Sequence, residues 1–239
     1  MKKLLFAMML IPALVFNSCD ILKEIDIPVD GPVTLTETDI VAGLKEALNV
    51  GTNNAVGFLG KTDGFLKNPL FKIPFPEDVK NVETKLRDLG MDQLVDNFIT
   101  SMNRGAEQAV SKAAPIFLDA ITSMTFEDAK NILKGEDNAA TEYFRGKTSG
   151  ALFNLFKPII QTALDNVNAT KYWTDITTVY NRIPLVTPVE TDLAKYVTDK
   201  AMGALFTKIA DEEKKIRTDP VARVSDILKK VFNPNAIIQ

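Results

Sequence analysis

From Ile40 to Phe232 apolar residues recur every three to four positions, the spacing that gathers them on one face of a helix. The recurrences fall into segments bounded by residues that start and stop helices. Thr36-Glu37-Thr38-Asp39 and Thr125-Phe126-Glu127-Asp128 both read as capping boxes, in which a Thr hydroxyl and an acid three residues later satisfy each other's backbone N–H groups. Gly90 and Gly135 read as stops. Pro115 should kink or split the periodic stretch from Met91 to Met124. Asp137 or Asn138 opens a helix carrying Phe144, Phe156, Ile160 and Leu164. Tyr172 to Ile183 reads as another, Thr191 or Asp192 opens a long one to about Arg217, and Val224 to Phe232 is a last short one. Gly51, Gly57 and Gly60 weaken the far end of the first helix and leave a break near Gly51 open. Only residues 61–76 resist the pattern. They hold Gly64, Pro69, Pro74 and Pro76, and residues before proline are pushed out of the helical region, so a long loop or a short β-ribbon is expected there. No fixed repeat period is present. The expected fold is all-α: a single multi-helix, bundle-like domain over residues 36–239.

Composition removes whole classes of chemistry. The chain of 239 residues has no histidine and a single cysteine. Ser-His-Asp and Cys-His catalysis, histidine metal sites, cysteine zinc cages and intrachain disulfides are therefore excluded. No phosphate-cradling Gly-rich loop occurs, and Lys134-Gly135-Glu136-Asp137-Asn138 has the wrong order for a calcium loop. No cofactor or metal is expected. Acids outnumber bases, 31 to 28. That balance disfavours nucleic acid, which is bound through Lys and Arg neutralising phosphates.

The first 19 residues read as an address. Lys2 and Lys3 precede an apolar run from Leu4 to Phe16, the length of an export-signal core and too short to span a bilayer. The run ends in Phe16-Asn17-Ser18-Cys19, which resembles a bacterial lipobox; Phe16 and Asn17 depart from its usual leucine and small residue. The resemblance implies cleavage after residue 18 and lipidation of Cys19. The alternative is an ordinary export signal cut nearby, which leaves a free thiol. The expected organisation is a signal peptide over 1–18, a lipid-anchored tether over 19–35, which holds Pro28, Gly31 and Pro32, and the helical domain beyond. The expected location is the bacterial envelope, facing the periplasm, with the membrane as partner through the anchor.

Several stretches carry a further resemblance. They are Gly43-Leu44-Lys45-Glu46-Ala47-Leu48, Asp63-Gly64-Phe65-Leu66, Asn103-Arg104-Gly105-Ala106-Glu107, Met124-Thr125-Phe126-Glu127-Asp128-Ala129, Ala139-Ala140-Thr141-Glu142-Tyr143-Phe144, and Glu212-Glu213-Lys214-Lys215-Ile216-Arg217. In this order and spacing, from about residue 35 to 232, they resemble domain-of-unknown-function family 4197. The resemblance implies a helical, exported protein and brings no activity with it. Gly105 stands where the family pattern implies alanine, a change that loosens a helix by up to about 1 kcal/mol.

The polar residues of those stretches form the candidate site: Arg104, Glu107, Asp128, Glu142, Arg145, Glu213 and Arg217. Taken singly they make i, i+3 or i, i+4 pairs on solvated helix faces, worth about 0.2–0.5 kcal/mol each. Taken together, beside small residues that permit close helix approach, they are expected to bring at least two groups from different helices within salt-bridge reach. Phe65, Phe71 and Phe75 in the proline-rich stretch form a candidate apolar loop that could cap a pocket or face a partner. These features favour a non-enzymatic binding or interaction protein whose partner is another envelope protein or a small ligand. The rival is a periplasmic hydrolase or lyase built on carboxylates, which requires neighbouring acids with raised pKa in a cleft.

Overall fold

The first capping box forms as read. In the computed structural model, which describes residues 33–182, 185 and 188–238, Thr36 Oγ1 accepts from the Asp39 N–H at 3.1 Å and Asp39 returns the bond to the Thr36 N–H at 3.0 Å. Helix α1 then runs without interruption from Glu37 to Leu59. The break left open near Gly51 does not occur. Gly51 is buried against Glu212 and Ile216, and tertiary packing overrides the weak local propensity.

Residues 61–76 form a loop without strand, which decides between the two expected forms. Pro74 and Pro76 carry no N–H for a ladder. After a 3-10 turn at Glu77–Val79 come α2 (Lys80–Asp88) and α3 (Asp92–Val110). Pro115 splits rather than kinks: it sits in the first turn of α4 (Ala114–Thr122), where its missing N–H costs nothing. The second capping box opens α5 (Phe126–Lys134). Then follow α6 (Ala139–Asp165), α7 (Ala169–Tyr180), α8 (Leu193–Thr218) and α9 (Asp226–Val231).

Strand appears where none was read. Val33–Leu35 (β1) pairs in parallel with Ala236–Ile238 (β2), in the register Val33 to Ala236. Residues 33–35, inside the stretch read as tether, are therefore part of the body. Leu35 is buried in the core, and three residues are too few to show a period of two. Cys19, residues 1–18 and the tether up to residue 32 lie outside the described residues.

Helices α3, α6 and α8 pack together, with α1 laid across α8, α4 and α5. The core is continuous from Leu35 to Val231. Within it Phe117 meets Phe144 and Phe206 edge to face, with ring centroids 5.3 and 6.4 Å apart. Burying each such side chain is worth roughly 1.5–3 kcal/mol. Gly105 acquires a reason: a Cβ there would come within 3.2 Å of the Ala163 Cβ, so the glycine lets α6 cross close to α3. Among the described residues no helix is long and apolar enough to cross a membrane.

Candidate functional site

The seven charged residues do not converge. Among the described residues no ion pair joins two of them from different helices. Each reaches a backbone end or a nearby side chain instead.

Glu107, on α3, is almost fully buried. One carboxylate oxygen accepts from the N–H groups of Phe65 and Leu66, both at 3.1 Å, and the other accepts from Arg104 at 2.6 Å. Arg104 also reaches Asp63 at 2.7 Å. Asp63 takes a left-handed backbone, φ 66°, and donors on Lys67 and then Arg104 hold its carboxyl below the usual range. Asn103, which sequence reading passed over, completes the arrangement. Its amide accepts from the Ile73 N–H and donates to the Ile73 carbonyl, both at 2.8 Å, as a neighbouring strand would. Its place in the Asn-Arg-Gly-Ala-Glu stretch was the available signal. One turn and a half of α3 thus holds the whole 61–76 loop.

Glu213 and Arg217, on α8, do the same for a helix–helix turn. Glu213 accepts from the N–H groups of Ala140 and Thr141 at 2.9 Å each and from the Thr141 hydroxyl at 2.8 Å. It therefore caps the start of α6, where Asn138 makes no side-chain cap. Arg217 pairs with Glu213 at 2.9 Å and donates to the Ile132 carbonyl at 2.7 Å, closing the end of α5. Asp128 serves its capping box, and the Thr125 hydroxyl and N–H keep its carboxyl low. Glu142 and Arg145 form an exposed pair at 3.3 Å.

The three loop phenylalanines part company. Phe65 is sealed in the core under Glu107, and Phe71 lines a shallow groove beside α8. Phe75 forms the floor of a cavity of about 450 Å³ between α2, α3 and α7. Its ring lies 5.0 Å from Phe98 and 6.2 Å from Trp173. Leu86 and Val95 complete the walls, and half-exposed Met91, Val167 and Tyr172 stand at its edge. Trp173 spends its only polar atom on the Glu190 carbonyl at 3.0 Å, so its ring serves as apolar wall. No charged side chain lines the cavity. Phe75 reads in the sequence as part of a loop that could cap a pocket; Leu86, Val95, Phe98 and Trp173 read as helix-core positions, and nothing in their spacing marks them as lining a space.

A family model described as a protein of unknown function, DUF4197, matches residues 34–233. The chain belongs to DUF4197. The match takes in α1 through α9 and stops before β2. No curated protein and no solved structure matches. The stretches resembling the DUF4197 pattern pair off in space: Asp63 to Leu66 against Asn103 to Glu107, and Ala139 to Thr141 against Glu213 to Arg217.

Proposed function

We propose that this DUF4197 protein is a lipoprotein of the bacterial envelope, anchored at Cys19, whose body binds a small apolar molecule in the α2–α3–α7 cavity without transforming it. The observation that carries the reading is the lining: four aromatic side chains, aliphatic side chains and Met91 around about 450 Å³, with Asn97 the one amide and no charged group among them. That volume lies within the range of small-molecule sites, roughly 300–1,000 Å³, and is too small for a folded partner. Apolar surface in such a space gains about 25 cal/mol per Å² when a ligand covers it.

The carboxylate-enzyme reading has less support. A general acid at neutral pH needs a raised pKa. The described carboxylates with shifted titration, Asp39, Asp63, Asp128, Asp192 and Glu212, are all shifted downward. None of them lines the cavity.

The cavity is tested by titrating the protein with N-phenyl-1-naphthylamine, an uncharged apolar fluorophore. Binding is expected, and Ala169→Phe, which fills the space from α7, should weaken it at least about tenfold. Equal binding by that variant, or none by the wild type, would sink the assignment. The anchor is tested separately: Cys19→Ala should move the protein from the membrane to the soluble fraction with its fold intact. An unmodified Cys19 in the native protein, read by mass, would refute lipidation.

A further inference from the structure

We infer that α2 is a latched lid over this cavity and that Arg87 is the latch; the inference rests on the reading of the cavity as a ligand site. Helix α2 is unlike its neighbours. None of its nine residues is fully buried, whereas α3 buries residues along its whole length. Val82 and Leu86 only lean on the core, and Leu86 is also part of the cavity wall. Moving α2 therefore uncovers little apolar surface and opens one side of the cavity. Segments with so few buried contacts sit at the low end of local stability.

What holds α2 down is electrostatic. Arg87 reaches across to the first turns of α3, pairing with Asp92 at 3.2 Å and Asp96 at 3.0 Å, and is itself oriented by Glu83 of α2 at 3.0 Å. The arginine side chain is a third exposed, and Asp92 and Asp96 are more than half exposed. Such pairs are weak singly and are screened by salt. Beside the cavity a latch of this kind can open on the timescale of ligand exchange, which a buried bond could not.

The connection is built to swing. Helix α2 ends in a Schellman motif: Gly90 donates to the Arg87 carbonyl at 2.8 Å and Met91 to the Leu86 carbonyl at 2.9 Å. Gly90 holds φ at 75°, a conformation that glycine alone adopts freely. Hinges are positions of this sort, at the end of an element and able to absorb a large dihedral change. At the other end buried Val79 pins the 3-10 turn ahead of α2. The helix can thus tilt between a fixed end and a glycine end, and the exposed Leu89 and Met91 beside the hinge offer an arriving apolar ligand its first contact.

The test uses the full chain carrying Cys19→Ala, loaded with N-phenyl-1-naphthylamine. Probe release into empty phosphatidylcholine vesicles is followed by stopped-flow fluorescence, and uptake is measured separately. Arg87→Gln removes the two cross-helix pairs and should speed release between about twofold and about thirtyfold, the span for two exposed pairs. Uptake should quicken by the same factor, leaving the affinity within about twofold, because a latch holds the empty and the loaded forms alike. Asp96→Asn should give a smaller acceleration, and Arg145→Gln, on an exposed pair elsewhere, none. Added salt should hasten release from the wild type and not from Arg87→Gln. If the probe binds, Ala169→Phe weakens that binding at least about tenfold, and Arg87→Gln leaves both rates unchanged or lowers affinity without quickening uptake, the lid is refuted and the cavity stands. If the wild type binds no probe, the cavity assignment fails and the lid with it.

Discussion

Along α3 the residues up to Phe98 and the residues from Asn103 onward meet different demands. The first half turns Val95 and Phe98 toward an empty space and leaves its acids, Asp92 and Asp96, in solvent for a single arginine. The second half buries Asn103 and Glu107, and Asn103, Arg104 and Glu107 all bond to the loop at residues 61–76. One half lines a cavity and is lightly held, the other is tied to a loop by buried hydrogen bonds. Of the charged residues that stand out in the sequence, Arg104 and Glu107 belong to the tied half and Glu213 and Arg217 to its counterpart on α8. The buried acids among them, Glu107 and Glu213, each accept at least three bonds and spend them on positioning backbone and a neighbouring arginine.

The comparison breaks if the tied regions prove lightly held. The largest loss is expected for Glu213→Ala, which leaves Arg217 without its buried partner and the start of α6 without its cap. Denaturant unfolding should show a loss of about 3–5 kcal/mol, the cost of stranding a buried charge. A loss below about 1 kcal/mol would make the α5–α6 staple ornamental.

Asn103→Ala comes next. It leaves the buried N–H and carbonyl of Ile73 unpaired, for an expected loss of about 2–4 kcal/mol. It also sharpens the comparison, because Phe75 lies two residues beyond Ile73 on the same loop. Fluorophore binding should weaken severalfold in Asn103→Ala and stay unchanged in Glu213→Ala at temperatures where both are folded. Unchanged binding in Asn103→Ala would mean that the two halves of α3 are independent.

The smallest effect is a coupling. Glu142→Ala should cost less than about 1 kcal/mol, as exposed pairs do, and Arg104→Ala about 1–3 kcal/mol through its bond to buried Glu107. The two share no partner, so the double variant should be additive to about 0.5 kcal/mol. A larger coupling would revive the convergent cluster that the structure does not show.

Helix identity was legible because it is local. Two capping boxes, the Pro115 split and the apolar stripes each depend on residues within a turn or two. The partners of Glu107 and Glu213 were not legible, because each lies about 40 to 70 residues away and a carboxylate carries no mark of which N–H it will meet. The i, i+3 and i, i+4 spacings to Arg104 and Arg217 were visible and correct, yet they are the minor part of what the acids do. The cavity was hidden for another reason. An apolar stripe reads the same whether it faces a packed neighbour or a space, so Val95, Phe98 and Trp173 read as core. Phe75 was singled out only because proline neighbours denied it a helix. The strand pair escaped because neither three-residue segment has meaning without the other.

That pair has a consequence in time. Val33 and Ala236 lie about 200 residues apart, so β1 and β2 have almost no chance of meeting while the chain between them is unfolded. The entropy of closing so long a loop is repaid only once the helices have brought the segments together. The ladder is three residues long and cannot hold on its own. It should therefore be the last piece to form and the first to come apart, a clock hand that reads whether everything between its strands has finished folding.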